Sequence, residues 1–572
     1  MRSAGPVLAF LVFVVAACTG GAEGSVAPTE PSDDQTTTQE TAVEACEPEV
    51  RPLTLTEAPA TTPEGLIELS QAVYSCQSAA VVVQGEDIDT VRFAADTAME
   101  QNVPLLRIQS PADRDAVVAE LERLEVSEVI SIGVDPALTS GLADSVTPQP
   151  VPTTTAPTTV PETTVAPQAD EPTETSSSTA DSAAVSEPET TSTTAAEAST
   201  TTIGGDETPT TTTSSTTTTA PPRFEPAIQE PAAAQEGPVV LYRRDAVVDA
   251  YLAVPAISAG GGEVAVTDLA DVDAVRGLLG GRSNVFVGGD SPDPTEEWQI
   301  ALATTDTELF GGGTRVFPDR RIIAYYGNPL TFRLGILGET DPERAVERVT
   351  ERAALYNAEG LPPALPGFEI IATVASNRAG DDDNYSNEMD IETIRPWIDA
   401  ARANDVSVIL DLQPGRTDFV TQAKLYEEFL RLPNVGLALD PEWRLKPDQR
   451  HLRQIGTVGA DEINAVIDYL TTLVHEETLP QKVLILHQFQ ERMLPDRELV
   501  KTPSEIAVVV HVDGQGSLGS KYGTWAAMLD APTNPEQQLW WAWKNFIDED
   551  FPTATPGQVN AVEPLPVIVT YQ

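Results

Sequence analysis

Eight short apolar runs recur from about residue 320 to the end of the chain, at 322–326, 368–374, 406–410, 435–439, 483–486, 506–510, 539–546 and 567–571. Between them lie segments with helical spacing of apolar residues at 342–359, 391–404, 421–432, 460–476 and 521–529, most opening on an acidic residue or on Thr and Pro. Strand and helix in repeated alternation predict a (β/α)8 TIM-type barrel over 318–572 within an α/β protein. The run at 539–546 is the least regular of the eight.

In such barrels the C-terminal strand ends share one face and carry the chemistry. Here the first strand ends in Tyr325-Tyr326-Gly327-Asn328, the third in Asp411-Leu412-Gln413-Pro414-Gly415-Arg416 and the fourth in Asp440-Pro441-Glu442-Trp443-Arg444. The fifth ends in His487-Gln488, the sixth in His511-Val512-Asp513-Gly514 and the seventh near Lys544-Asn545. Asp440 and Glu442 are expected on one side of an extended strand end, close enough to share a proton and so to raise one pKa. A raised Glu442 suits a general acid that protonates a glycosidic oxygen, and Trp443 offers a flat apolar surface to a sugar ring. Asp440, Asp411 or Asp513 would then supply the second carboxylate. Tyr325, Tyr326, Gln413, Arg416, His487, His511 and Lys544 complete the expected substrate-binding set, with no metal or other cofactor.

Two competing functions fit the same residues. His487 and His511 on adjacent strand ends, with Asp411, Asp440 and Asp513 nearby, would serve a metal-dependent hydrolase, although the first strand has no His-x-His. A barrel without catalysis, acting as a binding or scaffolding module, is the other. Trp540, Trp541 and Trp543 read equally as sugar-stacking or core residues, and His451 and His475 receive no role.

The Asp440-Pro441-Glu442 end resembles the Asp-x-Glu of the fourth strand in chitinase-like barrels and in lysozyme-like barrel muramidases. That resemblance implies Glu442 as acid and Asp440 as the residue orienting a substrate amide. The chain departs from the chitinase-like pattern at Ala438, where a further aspartate is expected, and at Asp411, where a small-residue motif is expected.

The first residues hold Arg2, then a nearly unbroken apolar run at 7–15 that is shorter than the roughly 20 residues of a permanent span, so they read as a secretion signal. Ala16-Ala17-Cys18-Thr19-Gly20-Gly21 resembles the lipobox of bacterial lipoproteins, which implies cleavage after residue 17 and lipidation of Cys18. The protein would then be extracytoplasmic, lipid-anchored and facing the cell wall. Cys46 and Cys76 remain for one disulfide, closing a loop of about thirty residues. With 34 basic against 88 acidic residues and a net charge of −54, phosphate-backbone binding is excluded as the function, because counterion release needs clustered Lys and Arg.

Residues 19–45 and 145–236 are rich in Thr, Ser, Pro, Ala and acidic residues with almost no aromatics, and neither stretch can bury a core. They divide the chain into a signal at 1–18, a tether, an α/β unit at 46–144, a long disordered linker, a second α/β unit at 237–310 and the barrel. In that order the linker would set how far the barrel stands from the membrane.

Both small units alternate strand and helix, and 112–117 (Ala-Asp-Arg-Asp-Ala-Val) matches 270–275 (Ala-Asp-Val-Asp-Ala-Val), each following a strand and opening a helix. Val285-Phe286-Val287-Gly288-Gly289, and less fully Ile130-Ser131-Ile132-Gly133, resemble the ending of the type 2 cell-wall-binding repeat. This implies two copies that bind cell-wall glycan or peptidoglycan. Taken whole, the chain is similar to a group of lipoproteins of high-GC Gram-positive bacteria that pair such repeats with a barrel of this kind. The expected function is a surface lipoprotein that binds the wall and acts on an envelope polysaccharide.

Overall fold

The computed structural model describes residues 48–151 and 237–572. Cys18, Cys46, the apolar run at 7–15 and most of the linker lie outside the described residues. Among the described residues no helix is long and apolar enough to cross a membrane.

The first segment builds a parallel sheet from β1 (Ala79–Val83), β2 (Leu105–Arg107), β3 (Glu128–Ile132) and β4 (Ser145–Gln149), in the order β2-β1-β3-β4. Helices α1 (Pro63–Val73), α2 (Ile88–Gln101) and α3 (Arg114–Arg123) connect and flank these strands. Thr62 caps α1 above Pro63, and Asp87 caps α2 by accepting from the Thr90 amide at 3.0 Å. Strand β4 corrects the expected linker boundary at residue 145. The free edge of β3 offers its hydrogen bonds to 145–149, and Pro148 is tolerated because β4 is itself an edge strand. Cys76, in the short strand Tyr74–Cys76, is disulfide-bonded.

The second segment contributes β5 (Val239–Arg243), β6 (Glu263–Thr267) and β7 (Val285–Gly288), also parallel and ordered β6-β5-β7. Its helices are α4 (Val247–Ala259), α5 (Val272–Leu279) and α6 (Pro294–Ala303). The two matched aspartates behave differently. Asp271 caps α5 through the Ala274 amide at 3.0 Å, whereas Asp113 turns back to accept from the amides of Gln109 at 2.9 Å and Ser110 at 2.6 Å.

Helix α4 is buried continuously from Ala250 to Ile257, as a helix apolar on all sides must be. It packs between the segments: Val81, Val83 and Val91 of the first share a core with Val240, Tyr242, Leu252 and Ile257 of the second. The Leu53 amide donates to Gly260 O at 2.8 Å across the same boundary.

The barrel follows from β8 (Arg321–Gly327), β9 (Ala364–Ala375), β10 (Ser407–Leu412), β11 (Val435–Leu439), β12 (Lys482–Gln488), β13 (Ile506–Val512), β14 (Trp540–Asn545) and β15 (Ile568–Tyr571). Neighbours in sequence pair in parallel, and β15 pairs with β8 to close the ring. A short strand, Ser386–Glu388, adds antiparallel to the end of β9. The principal outer helices are α7 (Pro342–Ala354), α8 (Ile391–Arg402), α9 (Phe419–Leu425), α10 (Ala460–Glu476) and α11 (Leu518–Asp530).

Helix α10 has the extent its apolar stripe predicts, burying Ile463, Val466, Ile467, Leu470, Leu473 and Val474. Each such side chain contributes roughly 1.5–3 kcal/mol on burial. The helix expected at 421–432 instead breaks at Tyr426, whose hydroxyl donates to the carbonyls of Ala372 at 2.9 Å and Met389 at 3.0 Å. Helix α6 joins the second segment to the barrel: Trp298 Nε1 donates to Leu479 O at 2.9 Å and its ring stacks on His475.

Candidate active site

Strand residues alternate sides, so one apolar interior residue fixes which later residues also point inward. The barrel interior is filled by Ile322, Ala324, Ile409, Ala438, Ile485, Val509, Ala542 and Ile568. Two residues beyond the last of these on each strand stand Tyr326, Asp411, Asp440, His487, His511, Lys544 and Thr570. Gly367, on β9, leads in the same way to Glu369. The apolar plug therefore ends in a complete polar layer, and all eight of its members are at most 4 % exposed.

The layer is tied together by short contacts. His487 Nδ1 lies 2.7 Å from Asp513 Oδ2, and His487 Nε2 lies 2.9 Å from Glu369 Oε1. Tyr326 donates to Asp411 Oδ2 at 2.7 Å, and Lys544 Nζ sits 3.7 Å from the centre of the same tyrosine ring. His511 shares a 3.0 Å hydrogen bond with Thr570 through Nε2. Glu369 Oε2, Asp411 Oδ1, Asp440 Oδ1, His511 Nδ1 and Asp513 Oδ1 are buried with no hydrogen-bond partner in the protein. Four such polar atoms in one layer, with that of Asp513 just above it, are far more than a folded core normally tolerates, and they mark a site shaped for something other than stability.

Above the layer opens a pocket of about 490 Å³ lined by Tyr326, Gln413, Asp440, Glu442, Trp443, Asp513 and Lys544 among others. The carboxyl groups of the pocket and of the layer beneath it are pushed in opposite directions. Burial, with the nearby Asp513 charge adding, lifts Glu442 to about 7 against the pull of Lys544 and His487. Burial and then Glu442 hold Asp440 well above the carboxylate range. Burial lifts Asp411 to about 6, with His487 opposing. At Asp513 the cost of burial is outweighed by His487, Lys544 and His511, which keep it well below its ordinary value. Burial opposes charge on His487, but Asp513 and Glu369 outweigh it and hold the imidazole pKa well above normal. His511 is pushed down to about 4 by burial, which outweighs the nearby Asp513 and Glu369 charges because neither carboxylate hydrogen-bonds to the ring.

Several expected site residues fall elsewhere. Tyr325 faces the helices: its hydroxyl donates to Arg348 O at 3.2 Å and its ring meets Tyr571 edge-on. Adjacent strand residues point to opposite faces, so only one of Tyr325 and Tyr326 can enter the pocket. Arg416 pairs with Asp383 at 2.7 Å over the Tyr385 ring. Gly415 turns the chain outward there, its φ of +59° and the nearby Asn384 carbonyl leaving no room for a Cβ. Gln413 stays at the pocket wall, where its Oε1 accepts from the Ala375 amide at 2.9 Å. His511 lies beneath the pocket, in the polar layer.

Asp440 and Glu442 both reach the pocket, but not from an extended strand end. Pro441 has no amide to continue the ladder and starts a 3-10 turn over Pro441–Trp443, with the Trp443 amide donating to Asp440 O at 3.2 Å. Trp540 tilts against Phe317, and Trp541 and Trp543 pack with Trp525, so all three belong to cores.

Glu369 is the participant that sequence reasoning missed. It sits inside the apolar run 368–374, and its signal is the two-residue step from Gly367. Glu369, His487 and His511 bring potential metal-binding atoms within 4.8 Å of one another. Both His487 nitrogens are already engaged by carboxylates, and the Glu369 and Asp513 charges are matched by His487 and Lys544, so this donor set fits a hydrogen-bonded cluster better than a metal centre. No protein-family model matches the chain, and no curated protein matches it.

Proposed function

We propose that the barrel is a glycoside hydrolase acting on an envelope polysaccharide, with Glu442 as general acid and Asp513 as base or nucleophile. The observation that carries this reading is the opposed tuning of two carboxyl groups lining one pocket: Glu442 held protonated near neutral pH and Asp513 held ionised. Environments that drive two carboxyls apart assign acid and base roles. Glu442 would donate its proton to the glycosidic oxygen as the bond to the anomeric carbon breaks. Asp513 would attack that carbon or take a proton from the attacking water. Trp443 provides the flat wall for a sugar ring, Asp440 contributes a further polar contact, and Asp411 lies in the layer beneath.

For the remaining chain we propose a lipoprotein signal ending at Cys18 and two cell-wall-binding segments. Support for paired copies comes from sheet order: in each segment the first strand is central, with the second on one side and the third on the other. The partners are then wall glycan or peptidoglycan, and the membrane through the lipid.

The test is release of reducing ends when the purified chain is incubated with peptidoglycan and envelope polysaccharide fractions. Glu442→Gln is expected to lose about 100-fold or more of the rate with unchanged thermal unfolding. Retention of polymer without release by the unmutated chain would overturn the hydrolase reading in favour of a binding or scaffolding protein.

A further inference from the structure

We propose that Glu369 is a positioning residue acting through His487: the line Glu369, His487, Asp513 fixes the orientation of the base carboxylate, with Oδ2 hydrogen-bonded and Oδ1 left without a hydrogen bond. The inference rests on the assignment of Asp513 above.

The argument is geometric. Both ring nitrogens of His487 lie within hydrogen-bond distance of carboxylate oxygens, 2.7 Å to Asp513 Oδ2 and 2.9 Å to Glu369 Oε1. A neutral imidazole has one N–H, which would leave one carboxylate facing a lone pair. A doubly protonated ring satisfies both. Glu369 does not line the pocket and is fully buried, so it cannot reach a substrate except through the ring. Its charge is what makes the second N–H worth keeping.

The groups facing His487 from the surrounding strands agree with that charge. Tyr326 of β8 meets the ring edge-on, Asp411 of β10 lies 3.9 Å from Nε2, and His511 of β13 lies with its ring centre 4.7 Å away. Lys544 of β14 stands 4.0 Å from Asp513 Oδ2, while Asp440 of β11 and Glu442 beyond it are held toward their neutral forms. Glu369 and Asp513, joined by Asp411 above about pH 6, thus supply the negative charge that holds His487 and Lys544 as cations.

The consequence falls on Asp513. His487 occupies Oδ2 and leaves Oδ1 without a hydrogen bond, buried 3.7 Å from His511 Nδ1, on a side chain 10 % exposed at the pocket. One oxygen in one direction is what an attacking or proton-accepting carboxylate needs. Gln at position 369 would fill the same volume and still accept from Nε2, but would carry no charge.

The test follows the nitrogen-15 signals of the four histidines in the full chain, with His487→Asn identifying the resonance. His487 in the unmutated chain is expected to be doubly protonated at pH 7, where a free imidazole is mostly neutral. In Glu369→Gln it should titrate at least one pH unit lower, with kcat down about 10-fold or more and KM little changed. Glu369→Asp should recover part of both. A neutral His487 in the unmutated chain at pH 7, or a Glu369→Gln chain that keeps both the imidazolium and full kcat, overturns the proposal. Should Glu369→Gln fail to fold, the unmutated titration still decides. The titration needs no substrate, so absence of glycan cleavage would sink the hydrolase reading and with it the role of Asp513 as base, whereas a failed titration would sink the coupling of Glu369 to His487 alone.

Discussion

Tyr326 and Asp411 reach across the barrel interior from β8 and β10 to a single 2.7 Å hydrogen bond, phenol to carboxylate. The bond serves the ionised form of Asp411, whose pKa burial has raised to about 6, so its strength depends on pH. Removing the donor in Tyr326→Phe should raise that pKa further. The expected loss of stability is about 1.5–3 kcal/mol at pH 8, where the carboxylate is charged, and about 0.5–1.5 kcal/mol at pH 5. Denaturant unfolding at the two pH values checks this, and equal losses would contradict it.

Glu442 must be protonated to act as an acid, so kcat/KM should hold steady below pH 7 and fall about tenfold per unit above it. Lys544 is one of the charges that lower the Glu442 pKa, and Lys544→Met should therefore move the alkaline limb to higher pH. A profile without a limb between pH 6 and 8 would remove Glu442 from the role.

Lys482 is buried at the start of β12 with its ammonium donating to Leu432 O at 2.9 Å and Val435 O at 2.8 Å, and burial lowers its pKa to about 7. Between pH 7 and the ordinary lysine value the unfolded chain binds a proton that the folded chain does not. Stability therefore rises with pH across that window, and the cost is complete below it. Compared with Lys482→Met, the unmutated chain should gain on the order of 3 kcal/mol between pH 7 and 9.5. A difference between the two proteins that stays constant with pH would refute the assignment.

Lys521 of α11 binds the carbonyls of Gly514 and Lys544, both at 2.6 Å, and pairs with the buried Asp550 at 2.8 Å. It ties the turn after Asp513 to the end of β14. Lys521→Met should cost about 3–5 kcal/mol by leaving Asp550 buried and unpaired, and adding Asp550→Asn should recover part of it. A double-mutant cycle read by urea unfolding measures the coupling, which vanishes if the pair is idle.

The strands of the barrel were legible because each is an apolar run of strand length, and even the irregular run at 539–546 forms β14. Much of the site was legible too, since Asp411, Asp440, His487, His511, Asp513 and Lys544 end such runs. What was hidden depends on which face a residue takes. Glu369 lies within a run rather than at its end, so composition masks it. Tyr325 and Tyr326 look alike in sequence, and only the two-residue step from Ala324 separates them. Arg416 and the Asp440 to Glu442 turn were misjudged because Gly415 and Pro441 redirect the chain just beyond the strand.

The core shared by the two small segments changes what the Thr-rich stretch between them does. The chain leaves that core at Val151 and rejoins it at Gly237, so residues 152–236 are an insertion whose two ends return to one body. Length added to or taken from the insertion leaves the pocket where it is.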